Sequence, residues 1–295
     1  MRVTDKLRYD VFKRNLITIR EEIDRTQTMI ASGKKIVKPS DDPVAASVAM
    51  AFEVEKGING QYTKNLERLH TVSCYYDTSL NTIHDLLIRA KEVAIAQASD
   101  TMNPSTRLSA SEEIKGIIEQ LVTIGNTKVG NTYIFGGKIT DGIPFTMDDD
   151  YSVTFHGSSE VMEVYVDKRT TEKAGISGDQ VFLSDTNIFN VLKDLKEALE
   201  GNDVEGIRES INAIDTSLDK AETNIAYAGT FSSALDRLIE AMNTRNNNIA
   251  TTLSDILDAD IEKVISDFNT LSTAYQALLY SMSRMQELSV LNYLT

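Results

Sequence analysis

Tryptophan is absent from the 295 residues, cysteine occurs once and proline only four times, at Pro39, Pro43, Pro104 and Pro144. With Cys74 alone, no internal disulfide can form, so packing must hold the fold whatever the redox compartment. The scarcity of proline leaves long stretches in which nothing interrupts a helix. No apolar run approaches the roughly 20 residues that cross a bilayer. The N-terminal segment alternates charged and apolar positions and fits neither a secretory signal nor a transit peptide. A cytosolic protein is the default expectation, and secretion would need a route without a cleaved signal. Positive charge is also short: the net charge is -14, which argues against general nucleic-acid binding because a polyanion would be repelled by most of the surface.

What is present is helical periodicity. Hydrophobic residues make up 41% of the chain, enough to fill cores. Near the start, Tyr9, Phe12, Leu16, Ile19, Ile23, Thr26 and Ile30 advance by alternating steps of three and four, the spacing of a coiled-coil seam. Near the end, Ile261, Val264, Phe268, Leu271, Tyr275, Leu278, Met282 and Met285 repeat that rhythm. Residues 1–40 hold ten bases against five acids, whereas residues 254–295 hold six acids against two bases. Two segments of similar length and opposite charge, each with an apolar stripe, are expected to pair. Met282 and Met285 read as core with an adaptable surface, since thioethers accommodate varied neighbours.

Two longer runs lie inside these ends. One steps through Tyr62, Leu66, Leu69, Ser73, Tyr76, Leu80, Ile83, Leu87, Ala90 and Ala94; the other runs from Ile207 through Ile211, Ile214 and Leu218 to Met242, prolonged by Asn246, Ile249 and Leu253. Beyond Leu253 the apolar steps to Leu257 and Ile261 are both four, a stutter that unwinds a coiled coil locally. A short helix is expected around Ile114 to Ile124, after Pro104. From Asn131 to Leu183 the pattern changes to glycine-rich turns and period-two alternation, and TYIFGG, IPFTM, SVTFHG and MEVYVDK read as strands. The fold expected is mainly α: an elongated multi-helix coiled-coil bundle built from both chain ends, with a small inserted β domain. Its parts are an inner coiled coil (1–42 and 254–295), a helical bundle (43–131 and 185–253) and an outer β domain (132–184).

The stretch SGKKIVKPSDDPVAASVAM, Ser32 to Met50, separates the first helix from the next. Gly33 can end a helix in the left-handed conformation, Pro39 moves Lys38 away from helical dihedrals, and Asp42 before Pro43 has the N-cap then first-turn order. Asp41 and Asp42 also favour the next helix's positive end, by about 0.3–1 kcal/mol each if exposed. Pro39, Ser40, Asp41, Asp42 and Pro43, with Leu257 on the returning strand, are therefore expected to form an interdomain joint.

Chemistry is thinly represented. His70, Cys74 and Asp77 share a helical face but lack a fourth ligand. Asp148, Asp149 and Asp150 lack the spacing and closing glutamate of a calcium loop, and Gly136 and Gly137 are not followed by a phosphate-binding pattern. No catalytic residue, metal site or cofactor is expected.

The Ser32–Met50 stretch and LDADIEKVISDFNTLSTAYQALLYSMSRMQELSVLNYL resemble the two terminal segments of bacterial flagellins and flagellar hook-associated proteins, and the resemblance covers nearly the whole chain. The KPSDDP form, NTYIFGG with Pro144 and Phe145 after it, and LSVLNYL are most similar to the hook-associated members of that family. The resemblance implies a structural subunit joining hook to filament, exported through the flagellar type III apparatus and polymerised through its terminal coiled coil. Implied partners are hook-associated protein 1, flagellin, copies of itself in a ring or tube, and a cytosolic export chaperone, with no nucleic acid and no membrane insertion. The implied location is extracellular, in the flagellum. The assembly seam would be Phe12, Leu16, Ile19, Ile23 and Ile30 against Ile261, Val264, Phe268, Leu271, Tyr275, Leu278, Met282 and Met285. A flagellin filament subunit is the first alternative and a cytosolic coiled-coil scaffold the second.

Overall fold

The computed structural model describes the backbone of residues 2–294 except 101, 140 and 185, and the side chains of 7–284 with the same exceptions. Six helices dominate it: α1 (Arg2–Ser32), α2 (Pro43–Gln97), α3 (Pro104–Gly125), α4 (Ile188–Glu200), α5 (Val204–Leu257) and α6 (Ile261–Leu294). Between α3 and α4 lie six short strands, β1 (Lys128–Val129), β2 (Thr132–Tyr133), β3 (Phe145–Met147), β4 (Val153–Phe155), β5 (Glu163–Tyr165) and β6 (Thr171–Lys173), then a π-helical turn at Asp179–Leu183. The chain divides into two compact units, Met1–Ile58 with Arg245–Thr295, and Asn59–Thr244. Helices α2 and α5 contribute residues to both.

Within the Asn59–Thr244 unit, the stripe on α2 behaves as its spacing predicts. Leu66, Leu69, Ser73, Tyr76, Leu80, Ile83, Leu87, Ala90 and Ala94 are all buried. On α5 the stripe is wider than the apolar spacing indicates. Ile207, Ile214, Ala221 and Ala228 are buried as expected, but Ser210, Ser217 and Asn224 are buried too, whereas Ile211, Leu218 and Ile225 are only half-buried. The serines fit because their hydroxyls donate back to the helix, Ser210 to the Gly206 carbonyl at 2.8 Å and Ser217 to that of Ala213 at 2.9 Å. Polar contacts flank the α2–α5 packing: Lys91 pairs with Asp215 at 2.5 Å, and the His70 ring lies 3.2 Å from the Asp236 carboxylate.

The strand region does not make one sheet. It forms three antiparallel two-stranded ladders, β1–β2, β3–β4 and β5–β6, with Phe145 opposite Phe155 and Tyr165 opposite Thr171. An isolated hairpin is marginal in water, so these need support from outside the ladders. Aromatic packing supplies it. Phe145 meets Phe155 and Phe182 at 4.9 Å between ring centroids, Phe182 stacks on Phe189 of α4 at 5.3 Å, and Phe135 meets Phe182 at 5.5 Å and Tyr76 of α2 at 5.3 Å. Helix α4, with Asn187 capping the amides of Phe189 and Asn190, was not visible as a separate element in the spacing read from Ile207 onward.

Two buried polar side chains tie this unit together. The Arg107 guanidinium donates to the carbonyls of Gln97 (3.1 Å) and Ser99 (2.7 Å) and to the Asn202 side chain, joining the end of α2 to α3 and to the α4–α5 turn. The Tyr76 hydroxyl shares its proton between the carbonyls of Ile134 and Ile176 (3.0 Å to the latter), and burial raises its pKa above the ordinary phenol value. Gly175, at φ +150°, passes directly against that ring, where a Cβ would lie 2.2 Å from the nearest ring atom. Replacing Tyr76 with Phe leaves both carbonyls without the hydroxyl donor, and we expect a loss of about 1–3 kcal/mol in unfolding free energy. A urea titration checks this: the midpoint should fall at unchanged slope, and an unmoved midpoint would contradict the role given to the hydroxyl.

Candidate assembly surface

In the unit made from the two chain ends, α1 packs along α6. A single chain covers the residues of the expected seam incompletely. Phe12, Leu16, Ile19, Ile23 and Ile30 on α1, and Phe268, Leu271, Tyr275, Leu278 and Met282 on α6, are half-buried; Thr26 and Val264 are buried, and Ile261 is exposed. Met285 lies outside the described side chains. Thr26 sits in the apolar row without an orphan hydroxyl, because it donates to the Glu22 carbonyl at 2.5 Å. Among the described residues no ion pair joins α1 to α6, so their opposite net charges act at longer range, screened over roughly 10 Å in salt.

Apolar surface remains beside the seam. Leu7, Val11 and Ile17 on α1, and Ile265, Leu279 and Tyr280 on α6, are exposed. The first turns of α2 carry a further free stripe, Val44, Val48, Val54 and Ile58, with Val44 at 75% exposure, while the opposite face buries Ala49 against Ile249 and Leu253. Spacing alone picked out one stripe per helix; the additional exposed residues lie at flanking positions that a seam count passes over.

Of the expected joint residues, Asp41 and Asp42 shape the loop and cap α2, and Leu257 alone bonds across to the first strand, where its partner is Lys35. Gly33, at φ +69°, ends α1 in the left-handed region. Asp42 caps α2 by accepting from the amides of Val44 (3.1 Å) and Ala45 (3.0 Å), and Pro43 is the first helical residue. Asp41 folds the preceding loop by accepting from the amides of Val37 (3.1 Å) and Lys38 (2.8 Å). On the returning strand the expected stutter is a complete break. Helix α5 ends at Leu257, and α6 restarts at Ile261 with Asp260 accepting from the Lys263 amide at 3.1 Å. The aspartates explain the difference, because Asp260 caps a new helix where a continuous one would leave its carboxylate without that partner. The two breaks then meet. The Lys35 amide donates to the Leu257 carbonyl at 2.7 Å, the Ala259 amide donates to the Gly33 carbonyl at 2.9 Å, and Lys34 pairs with Asp258 as an antiparallel bridge.

The remaining sequence candidates find ordinary partners. His70 pairs with Asp236, Cys74 is exposed, and among the described residues no group of three or more His, Cys, Asp or Glu is placed to hold a metal. Asp150 sits in the β3–β4 turn and pairs with Lys193 at 2.9 Å.

Residues 7–140 match the bacterial flagellin N-terminal helical region and residues 211–294 match the bacterial flagellin C-terminal helical region. The chain belongs to the bacterial flagellin family. Across this family of structural flagellar proteins it is similar to flagellar hook-associated protein 3 of Escherichia coli K12, at 27% identity over 98% of both chains. It is also similar to the flagellin of Halalkalibacterium halodurans, at 22% identity over 90% of this chain and 89% of that one. Among solved structures, a flagellar hook-associated protein from Vibrio parahaemolyticus shares the fold with a TM-score of 0.68, covering 74% of this chain and all of that one at 20% identity. The flagellar junction protein of Legionella pneumophila does so with a TM-score of 0.57, covering 73% and 100% at 12% identity.

The joint generates a pH prediction. The bonds from the Lys38 and Val37 amides, helped by Arg25 and Lys38, hold the Asp41 carboxyl below its ordinary value of 3.8. A depressed carboxylate anchors the loop fully above its unfolded pKa and releases it as pH falls through the lower folded value. The Val37 and Lys38 amide resonances should therefore move together on acidification below about pH 4, and Asp41→Asn should abolish that titration. An unchanged titration in the variant would show that another group controls the loop.

Proposed function

We propose that this chain is a structural subunit of the hook-filament junction, set between hook-associated protein 1 on the hook side and flagellin on the filament side. In this reading it leaves the cell through the flagellar type III apparatus, accompanied beforehand by a cytosolic chaperone, and polymerises with copies of itself into a ring or tube. Residues 1–42 and 254–295 act as the inner coiled coil, 43–131 and 185–253 as the helical bundle, and 132–184 as the outer β domain.

The observation that carries this reading is the partly covered pairing of α1 with α6. Apolar side chains on both helices stay half-exposed in one chain. Covering the remaining half of each large one would contribute about half of the roughly 1.5–3 kcal/mol that full burial is worth, which gives assembly a driving force that the free chain lacks. Similarity to hook-associated protein 3 over 98% of both chains, against 90% and 89% with the flagellin, favours the junction position over the filament. The bonded crossing at Gly33–Lys35 and Leu257–Ala259 supports a joint that shifts as one piece, since tilting α1 and α6 separately would break two backbone hydrogen bonds.

A deletion strain provides the test. It should keep hooks, lose filaments and release unpolymerised flagellin into the medium, which a flagellin deletion cannot do. Leu16→Asp with Phe268→Asp should be secreted normally yet fail to restore filaments. Restoration by that double variant would overturn the assembly role of the seam.

A further inference from the structure

We infer that the Asn59–Thr244 unit contains a binding site for a small amphipathic carboxylate. Between α2 and the hairpins β1–β2 and β5–β6 lies a partly enclosed cavity of about 230 Å³. Its apolar lining includes the buried Leu69 and Ile134 and the half-buried Val72, Val129 and Val164. A cavity of 150 Å³ holds the six carbons of benzene, so this one has room for roughly nine.

The polar lining selects the sign of the ligand. No carboxylate lines the cavity, although the chain carries 44 acids against 30 bases. Arg68 lines it and, among the described residues, forms no ion pair or hydrogen bond. Its guanidinium can therefore present two parallel donors to a carboxylate. Lys128 is not itself a lining residue, but its ammonium lies over the ring of the lining Tyr133, 4.3 Å from its centre. Thr132 and Tyr133 contribute hydroxyls that, among the described residues, form no hydrogen bond. By contrast, the Tyr76 hydroxyl is committed to two backbone carbonyls and the Thr71 hydroxyl to that of Glu67. One guanidinium and two hydroxyls in the lining of a largely apolar pocket suit a monoanionic head on a short hydrocarbon body. This site is independent of the position the chain takes in the flagellum.

Titration calorimetry of the full chain with octanoate, hexanoate and 1-octanol tests the inference, with methyl NMR to locate the ligand. We expect one saturable octanoate site, binding about fifteenfold tighter than hexanoate at about fourfold per methylene. Octanoate should shift the methyls of Val72, Val129 and Val164. Arg68→Gln should weaken octanoate at least tenfold while leaving 1-octanol unchanged, which also shows that the cavity remains formed. Three results would each overturn the proposal: no saturable octanoate binding, equal octanoate affinity in Arg68→Gln, or shifts confined to the exposed apolar residues of α1 and α6.

Discussion

Two helices laid side by side cannot cover apolar surface that extends around both of them, and that constraint governs the unit formed from the chain ends. Helices α1 and α6 pack together yet keep most of their apolar stripe residues only half-buried, with further apolar side chains exposed on both. An isolated helix stabilised by one partly covered stripe is marginal, because ordering its backbone costs free energy that the stripe only partly offsets. The energetic deficit of the single chain is thus also its capacity to associate. A seam that closed completely within one molecule would leave little to drive packing between copies.

The Asn59–Thr244 unit follows the opposite rule. Its core is closed by a long stripe on α2, a broad stripe on α5, the short helices α3 and α4, and a cluster of phenylalanines that supports hairpins too short to stand alone. Buried polar groups here act between elements: Arg107 gathers three chain segments, and Tyr76 holds two loops against α2. The polar rows on α5 are a different matter. Asn224 keeps a buried amide nitrogen, and Ser73 on the α2 stripe a buried hydroxyl, without a partner among the described residues, each a local cost in this core.

Much of this architecture was legible in the order of residues. The helical stripes repeat over many turns, so their spacing specified α1, α2, α5 and α6, and the Gly33, Asp42 and Pro43 signals specified how α1 ends and α2 begins. The family resemblance rested on whole motifs and directed attention to the chain ends. Less was legible where local rules compete. Ser210 and Ser217 are polar by type yet buried, because back-bonding to the helix satisfies them and α5 is packed over a wide arc. Helix α4 spans only 13 residues, too short for a long repeat, and its signature is Asn187 ahead of Ile188, Leu192, Leu195 and Leu199. The break at Asp258–Asp260 looks like a stutter in the sequence because apolar spacing registers a phase shift and not a cap. The bonds between the two breaks, and the cavity beside Arg68, arise from residues far apart in the chain and leave no mark in local periodicity.

Hydrogen exchange of α1 and α6 amides, compared between free chains and assembled tubes, bears most directly on the idea that sister copies complete the terminal pair. Protection along both helices should be weak in the free chain and strong after assembly, while the α2 core around Leu80–Leu87 is protected in both states. Equal, strong protection of α1 and α6 in the free chain would contradict it.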